Sequence, residues 1–130
     1  MKDTFIVNPR SVKESKESNA FIKEFVGDTS VISINNDEYL IEEVYLTYLI
    51  DSEKVHKQAV SLVFIMLNKK TKEINCPEDY KKFEILIDKK KFELGNRSGY
   101  LVSSIPLNTS NFQLIYFDNK NKHVVNFREK

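Results

Sequence analysis

The chain has 130 residues, 41% apolar and 30% charged, with a formal net charge of +1. That length suits one domain burying roughly two-thirds of its unfolded surface, and the composition is that of an ordinary globular protein, not a disordered one. Three glycines and three prolines leave no material for long flexible linkers, and the near-neutral total argues against a general nucleic-acid binder.

From the N-terminus, Phe5-Ile6-Val7 reads as a short strand closed by Asn8-Pro9, in a terminus without the apolar run of a signal peptide. Ser11 to Asn19 mixes Lys, Glu and Ser with almost nothing apolar, as a solvated arm or the exposed start of a helix would. Ala20, Phe21, Ile22, Phe25 and Val26 then form an apolar stripe of about two turns, and Gly27 can stop it. The spacing predicts a short helix here. Residues 1–28 thus read as an N-terminal strand, arm and helix ahead of a β-rich 29–130, within one compact domain.

Val31-Ile32-Ser33-Ile34 is strand-like, and Asn35-Asn36-Asp37 is turn material. Tyr39 to Ile50 carries helical spacing at Leu40, Ile41, Val44, Tyr45, Tyr48 and Leu49. It also alternates as a strand, with Leu40, Val44, Leu46, Tyr48 and Ile50 on one face, and its Val, Ile, Tyr and Thr content favours that choice. Gln58 to Leu67 is apolar on both faces, as in a central strand, although a buried helix fits the same run. Helices at 39–67 would make the fold α+β; strands make it mainly β.

Asn68-Lys69-Lys70-Thr71-Lys72 is a charged turn, and Cys76-Pro77-Glu78-Asp79 resembles the start of a helix of one or two turns. Two hairpins follow. Phe83–Ile87 and Lys91–Leu94 flank Asp88-Lys89-Lys90, while Phe112–Phe117 and His123–Phe127 flank Asp118–Lys122. Between them Gly95–Gly99 reads as a loop, and Pro106 confines the Tyr100-Leu101-Val102 strand to an edge or an end. Strands and turns at this spacing predict a single β-sandwich or barrel.

The run Gly99-Tyr100-Leu101-Val102, Ile105-Pro106 and Asn111-Phe112-Gln113-Leu114-Ile115-Tyr116 resembles the closing strands of immunoglobulin-like, telokin-type domains of Gram-positive lipoproteins. The resemblance covers the last third of the chain and implies a sandwich fold, extracellular binding and no catalytic residues. No lipobox precedes the domain in this sequence.

Candidate chemistry is sparse. His56, His123 and the lone Cys76 lack any CxxC, HxxxH or HExxH spacing, so no metal or cofactor is expected. A single cysteine also excludes an internal disulfide. Cys76 reads as a cap or buried small residue rather than a nucleophile. Glu42-Glu43 are adjacent, so in a strand they face opposite ways and mark a bulge or an exposed face rather than an acid–base pair. The Gly95–Gly99 segment lacks the spacing of a phosphate-binding loop.

Charge is distributed unevenly. Residues 1–65 carry 7 Lys/Arg against 11 Asp/Glu, net −4, and residues 66–130 carry 13 against 8, net +5. Lysines gather in turns at Lys69, Lys70 and Lys72 and at Lys89, Lys90 and Lys91, the candidate partner-binding residues. These features point to a non-enzymatic protein-binding or assembly module that meets a protein partner or its own copy. A nucleic-acid-associated protein using the basic half, and a small enzyme with scattered site residues, are the alternatives. The Lys-, Asn- and Ile-rich composition suits a bacterial or phage accessory or structural protein, cytoplasmic or virion-borne, and equally a mature extracellular fragment. No run of eighteen apolar residues is present to span a membrane.

Overall fold

A computed structural model describes residues 20–51, 54–55 and 61–130. The expected Phe5–Val7 strand, the Ser11–Asn19 arm, Gln58–Val60 and His56 lie outside the described residues. Twelve strands are described: β1 Ala20–Gly27, β2 Val31–Ile34, β3 Asp37–Asp51, β4 Lys54–Val55, β5 Ser61–Asn68, β6 Glu73–Ile74, β7 Glu84–Ile87, β8 Lys90–Glu93, β9 Gly95–Arg97, β10 Tyr100–Ser103, β11 Asn111–Asp118 and β12 Asn121–Glu129. Every pairing is antiparallel, and the sheet runs β8-β7-β11-β12-β1-β3-β5-β10-β9, with β2 and β4 also on β3 and β6 on β5. The fold is mainly β, as expected, and the sheet nearly closes on itself. Only Leu94 separates the two outermost strands, β8 and β9, along the chain.

The short N-terminal helix is not formed; residues 20–27 are β1. Its first part, Ala20–Glu24, pairs with β3, and its last part, Phe25–Gly27, pairs with β12. Residues three apart share a helix face but sit on opposite faces of a strand. Accordingly Phe25 is 3% exposed in the main core, while Ile22 packs on the opposite side against Tyr45, Val63 and Ile65. Two ladders on either side of this segment outweigh its local helical spacing. The exchange of partner divides the sheet into a first limb (β1, β3, β5, β10, β9) and a second limb (β12, β11, β7, β8).

Strand β3 is the long strand expected over 39–50, but its faces differ from the expected alternation. Ile41 opposes Met66 and Glu43 opposes Ile65, leaving Glu42 as the extra residue of a β-bulge. Tyr39 and Ile41 face the main core before it; Val44 and Leu46 face the same core after it. Leu40 therefore does not share their face. A one-residue insertion is what keeps both halves of β3 directed inward, because a slip by one would flip every later side chain.

Three tight hairpin turns hold two consecutive residues at positive φ: Asn35-Asn36, Asp88-Lys89 and Ser98-Gly99. That is the type I′ arrangement, whose twist matches that of the flanking strands. The third corrects the expected Gly95–Gly99 loop, since Gly95–Arg97 pairs with β10 and only Ser98-Gly99 turn. Asn96 Oδ1 accepts the Gly99 N–H at 2.8 Å and secures it. The helix expected at Cys76–Asp79 is likewise not formed. Asn75 N–H donates to Met66 O at 2.9 Å and Cys76 N–H to Gly99 O at 3.0 Å, so this stretch is spent on sheet contacts. Only one 3-10 turn, Tyr80–Lys82, follows it.

The core lies between the two limbs. Phe64 of the first limb meets Phe112 and Phe127 of the second edge-on, at centroid distances of 6.1 and 5.6 Å. Phe112 and Phe127 stack at 4.9 Å, and Phe25 closes on Phe112 at 5.1 Å. Strand β5 is buried on both sides: Leu62, Phe64 and Met66 enter the main core, while Val63 and Ile65 join Tyr45 in a second cluster. Lys23 Nζ donates to Leu107 O at 3.1 Å and Thr109 O at 2.8 Å, pinning the segment between β10 and β11.

Two substitutions test this packing. A Cβ at Gly27 would come within 2.8 Å of the Phe127 ring, which Phe112 and Phe64 hold in place. Gly27→Ala should therefore cost about 1–3 kcal/mol of stability. Lys23→Met should cost about 1–3 kcal/mol by leaving two carbonyls without their charged donor. In urea melts both should lower the midpoint at unchanged slope.

Candidate functional site

Strands β11 and β12 form a hairpin that presents one face to the core and one away from it. Phe112, Leu114 and Tyr116, with Val125 and Phe127, point inward. Alternation then places Gln113, Ile115 and Phe117, with Lys122, Val124, Asn126 and Arg128, on the opposite face. Cross-strand partners there are Gln113–Asn126, Ile115–Val124 and Phe117–Lys122. Strand β7 adds Leu86 beside Gln113 and Glu84 beside Ile115.

This outer face has two ends of different character. At one end Gln113 Nε2 donates to Asn126 Oδ1 at 2.9 Å, and Asn126 Nδ2 donates to Asp28 Oδ2 at 3.0 Å. The Asn126 backbone N–H adds a bond to Asp28 Oδ1 at 3.2 Å. A groove of about 730 Å³ opens beside this ladder, lined among others by Val26, Leu86, Ile87, Lys89 and Arg128. At the other end Phe117 is 44% exposed and Val124 is 41% exposed, beside an Ile115 that is only 6% exposed. Of the four large apolar side chains exposed among the described residues, these two share one small area.

The six lysines singled out from the sequence fall in two separate turns, one in each limb. Lys69, Lys70 and Lys72 join β5 to β6, and Lys69 pairs with Glu38 at 3.1 Å. Lys89 is in the β7–β8 turn, with Lys90 and Lys91 on β8; Lys91 lies 3.9 Å from Glu84 of β7. The acidic and basic halves of the sequence are partly interleaved, since Lys23–Glu129, Lys69–Glu38 and Lys130–Glu24 pairs connect them at 3.9, 3.1 and 3.3 Å. Phe117 and Val124 were placed in strands by the sequence but not singled out. The available signal was the unbroken apolar run Leu114-Ile115-Tyr116-Phe117, which puts apolar groups on both faces of one strand.

Cys76 is a buried thiol, 5% exposed, and its burial raises its pKa, which disfavours the nucleophilic thiolate. His123 stacks on Tyr116 at 5.0 Å on the exposed part of β12. Among the described residues no three His, Cys, Asp or Glu side chains are grouped to hold a metal ion. Glu42 occupies the exposed bulge, and Glu43 sits half-buried at the next paired position.

The chain matches no protein-family model, no curated protein and no solved structure.

The buried ionisable groups set an alkaline limit. Burial raises Cys76 above its ordinary 9.0; it also raises Tyr39 and Tyr116 above 10.0, with nearby carboxylates adding to the rise. The folded chain holds these protons more tightly than the unfolded chain. Their contribution is fully present below the unfolded values and is lost as pH climbs through the raised ones. The urea midpoint should fall between pH 9 and pH 11, and Cys76→Ser should blunt the earliest part of that fall. A midpoint flat or rising across this range would contradict the assignment.

Proposed function

We propose that the chain is a non-enzymatic binding module of β-sandwich, immunoglobulin-like type. It docks on a protein partner through the Ile115–Phe117–Val124 end of the second limb. The observation that carries this reading is the adjacency of exposed Phe117 and Val124 beside buried Ile115. Aromatic side chains that contribute large contact area at little entropic cost are favoured anchors of protein interfaces. Transfer of apolar surface from water into a partner is worth about 25 cal/mol per Å². Lys122 opposite Phe117 supplies a polar rim of the kind that surrounds such anchors. A bacterial or phage assembly, in the cytoplasm or in a particle, is the setting in which such a module would serve.

The nucleic-acid reading draws on less. Residues 84–93 and 111–130 together carry 7 Lys/Arg against 5 Asp/Glu, a net of +2. Polyanion binding through lysines weakens steeply with salt, whereas docking through an apolar face does not.

The test is a double substitution, Phe117→Asp with Val124→Asp. Both positions are already open to solvent, so the melting temperature should stay close to that of the parent chain. A partner isolated with the parent chain should bind the purified double variant about 30-fold or more weakly, the loss of one interface anchor worth about 2 kcal/mol. Unchanged affinity would place the interface elsewhere.

A further inference from the structure

The two ends of the sheet path, β8 and β9, are separated along the chain only by Leu94, and β8 pairs with the second limb while β9 pairs with the first. Strand β8 is outermost in the second limb and pairs only with β7. In a two-residue hairpin the residues flanking the turn exchange both hydrogen bonds, and the next pair points its main-chain groups outward. Ile87 and Lys90 flank the turn, so Lys91 and then Glu93 turn their N–H and C=O groups away from β7. The Glu93 carbonyl confirms the phase: it accepts Ser103 Oγ of β10 at 2.8 Å. That bond tacks the far end of β8 to the first limb. The Lys91 N–H and C=O have no hydrogen-bond partner among the described residues.

Between β8 and β10 lies a groove of about 540 Å³ lined by Lys91, Phe92, Leu94, Arg97, Val102 and Ser104, among others. Glu93 and Ser103 also line it, joined to each other by the bond just described. The groove therefore combines an unpaired strand edge, an apolar floor and two cations. Over residues 88–97 the chain carries 4 Lys/Arg against 2 Asp/Glu, and three of the four are consecutive at Lys89, Lys90 and Lys91. Like charges set opposite each other across strands are destabilising, and lysines on an edge deter pairing with an identical edge. The same lysines attract a strand of opposite sign.

We infer that the open edge of β8 receives an extended acidic segment of a partner protein as an added strand. Lys91 supplies main-chain pairing, and Lys89, Lys90, Lys91 and Arg97 meet the partner's carboxylates. Strand addition of this kind takes its affinity from main-chain bonds and its specificity from side chains on alternate positions. The site is separate from the Phe117–Val124 face and does not depend on it. With only a few main-chain bonds available, at about 0.5–1.5 kcal/mol each, the charges decide which segment binds.

The probe is a capped octapeptide alternating Glu with Val or Thr, compared with its Lys-for-Glu counterpart, on the full chain at 20 mM and 300 mM salt. Amide exchange at Lys91 should slow at least tenfold with the acidic peptide. Affinity should fall about tenfold at the higher salt, because exposed charges are screened beyond about 10 Å at 0.1 M. The Lys peptide should bind at least tenfold more weakly. Lys89→Glu with Lys90→Glu should reverse the preference between the two peptides. Lys91→Pro, which removes the outward N–H while sparing the bonds to β7, should weaken binding of the acidic peptide at least tenfold at unchanged melting temperature. Phe117→Asp with Val124→Asp should bind the peptide as the parent chain does, which separates this site from the apolar face. The proposal is overturned by equal affinity for the two peptides, or by protection confined to β11 and β12. It is also overturned if the free chain sediments as a dimer with the Lys91 amide already protected, which would assign the edge to a second copy.

Discussion

Strand β1 bonds to β3 along its first five residues and to β12 along its last three, and the enclosure of the core depends on that exchange. The two limbs each expose an apolar face that must be removed from water, and a continuous flat sheet would leave both faces open. By changing neighbour within eight residues, β1 lets the limbs face each other while sharing one backbone ladder. Gly27 stands at the end of the exchange, where the Phe127 ring occupies the space a side chain would take. The ring that covers Gly27 also stacks on Phe112 and meets Phe64, so the corner and the aromatic centre are one packing unit.

The bulge at Glu42 works with the same constraint. Strand β3 has to serve four neighbours, β1, β2, β4 and β5, over fifteen residues. A strand of that length accumulates twist, and the bulge resets which side chains point inward after Ile41. Burial on both faces of β5 gives the first limb its bulk of apolar contacts. The second limb is thinner and retains the exposed Phe117 and Val124 on its outer face. The other two exposed large apolar side chains among the described residues, Val31 and Ile74, lie on short strands paired to the first limb.

Lysines play different parts according to position. Lys23 is directed at main-chain carbonyls and holds a loop, Lys69 pairs with an exposed carboxylate, and Lys89 to Lys91 line a strand edge. Composition counts all of them alike. An exposed pair such as Lys69–Glu38 contributes about 0–1 kcal/mol, so it positions the β5–β6 turn more than it stabilises the chain.

What the sequence determined by itself was local. The Asn35-Asn36 and Asp88-Lys89 turns, the two C-terminal hairpins and the doubly apolar run of β5 follow from turn chemistry and alternation within a few residues. The lone Cys76 likewise excluded an internal disulfide without reference to the fold. Where a segment's partners lie far along the chain, only the tertiary structure decided the outcome. Residues 20–27 carry a helical stripe, yet ladders to β3 and to the C-terminal β12, about a hundred residues away, make them a strand. Residues 95–97 look like loop until β10 pairs with them, and Cys76–Asp79 looks like a helix start until Gly99 takes the Cys76 amide and Met66 that of the preceding Asn75. The candidate site belongs to the second kind: Phe117 and Val124 are ordinary strand residues in sequence. Their exposure arises because the hairpin turns one face to the core and the other, at this end, away from it.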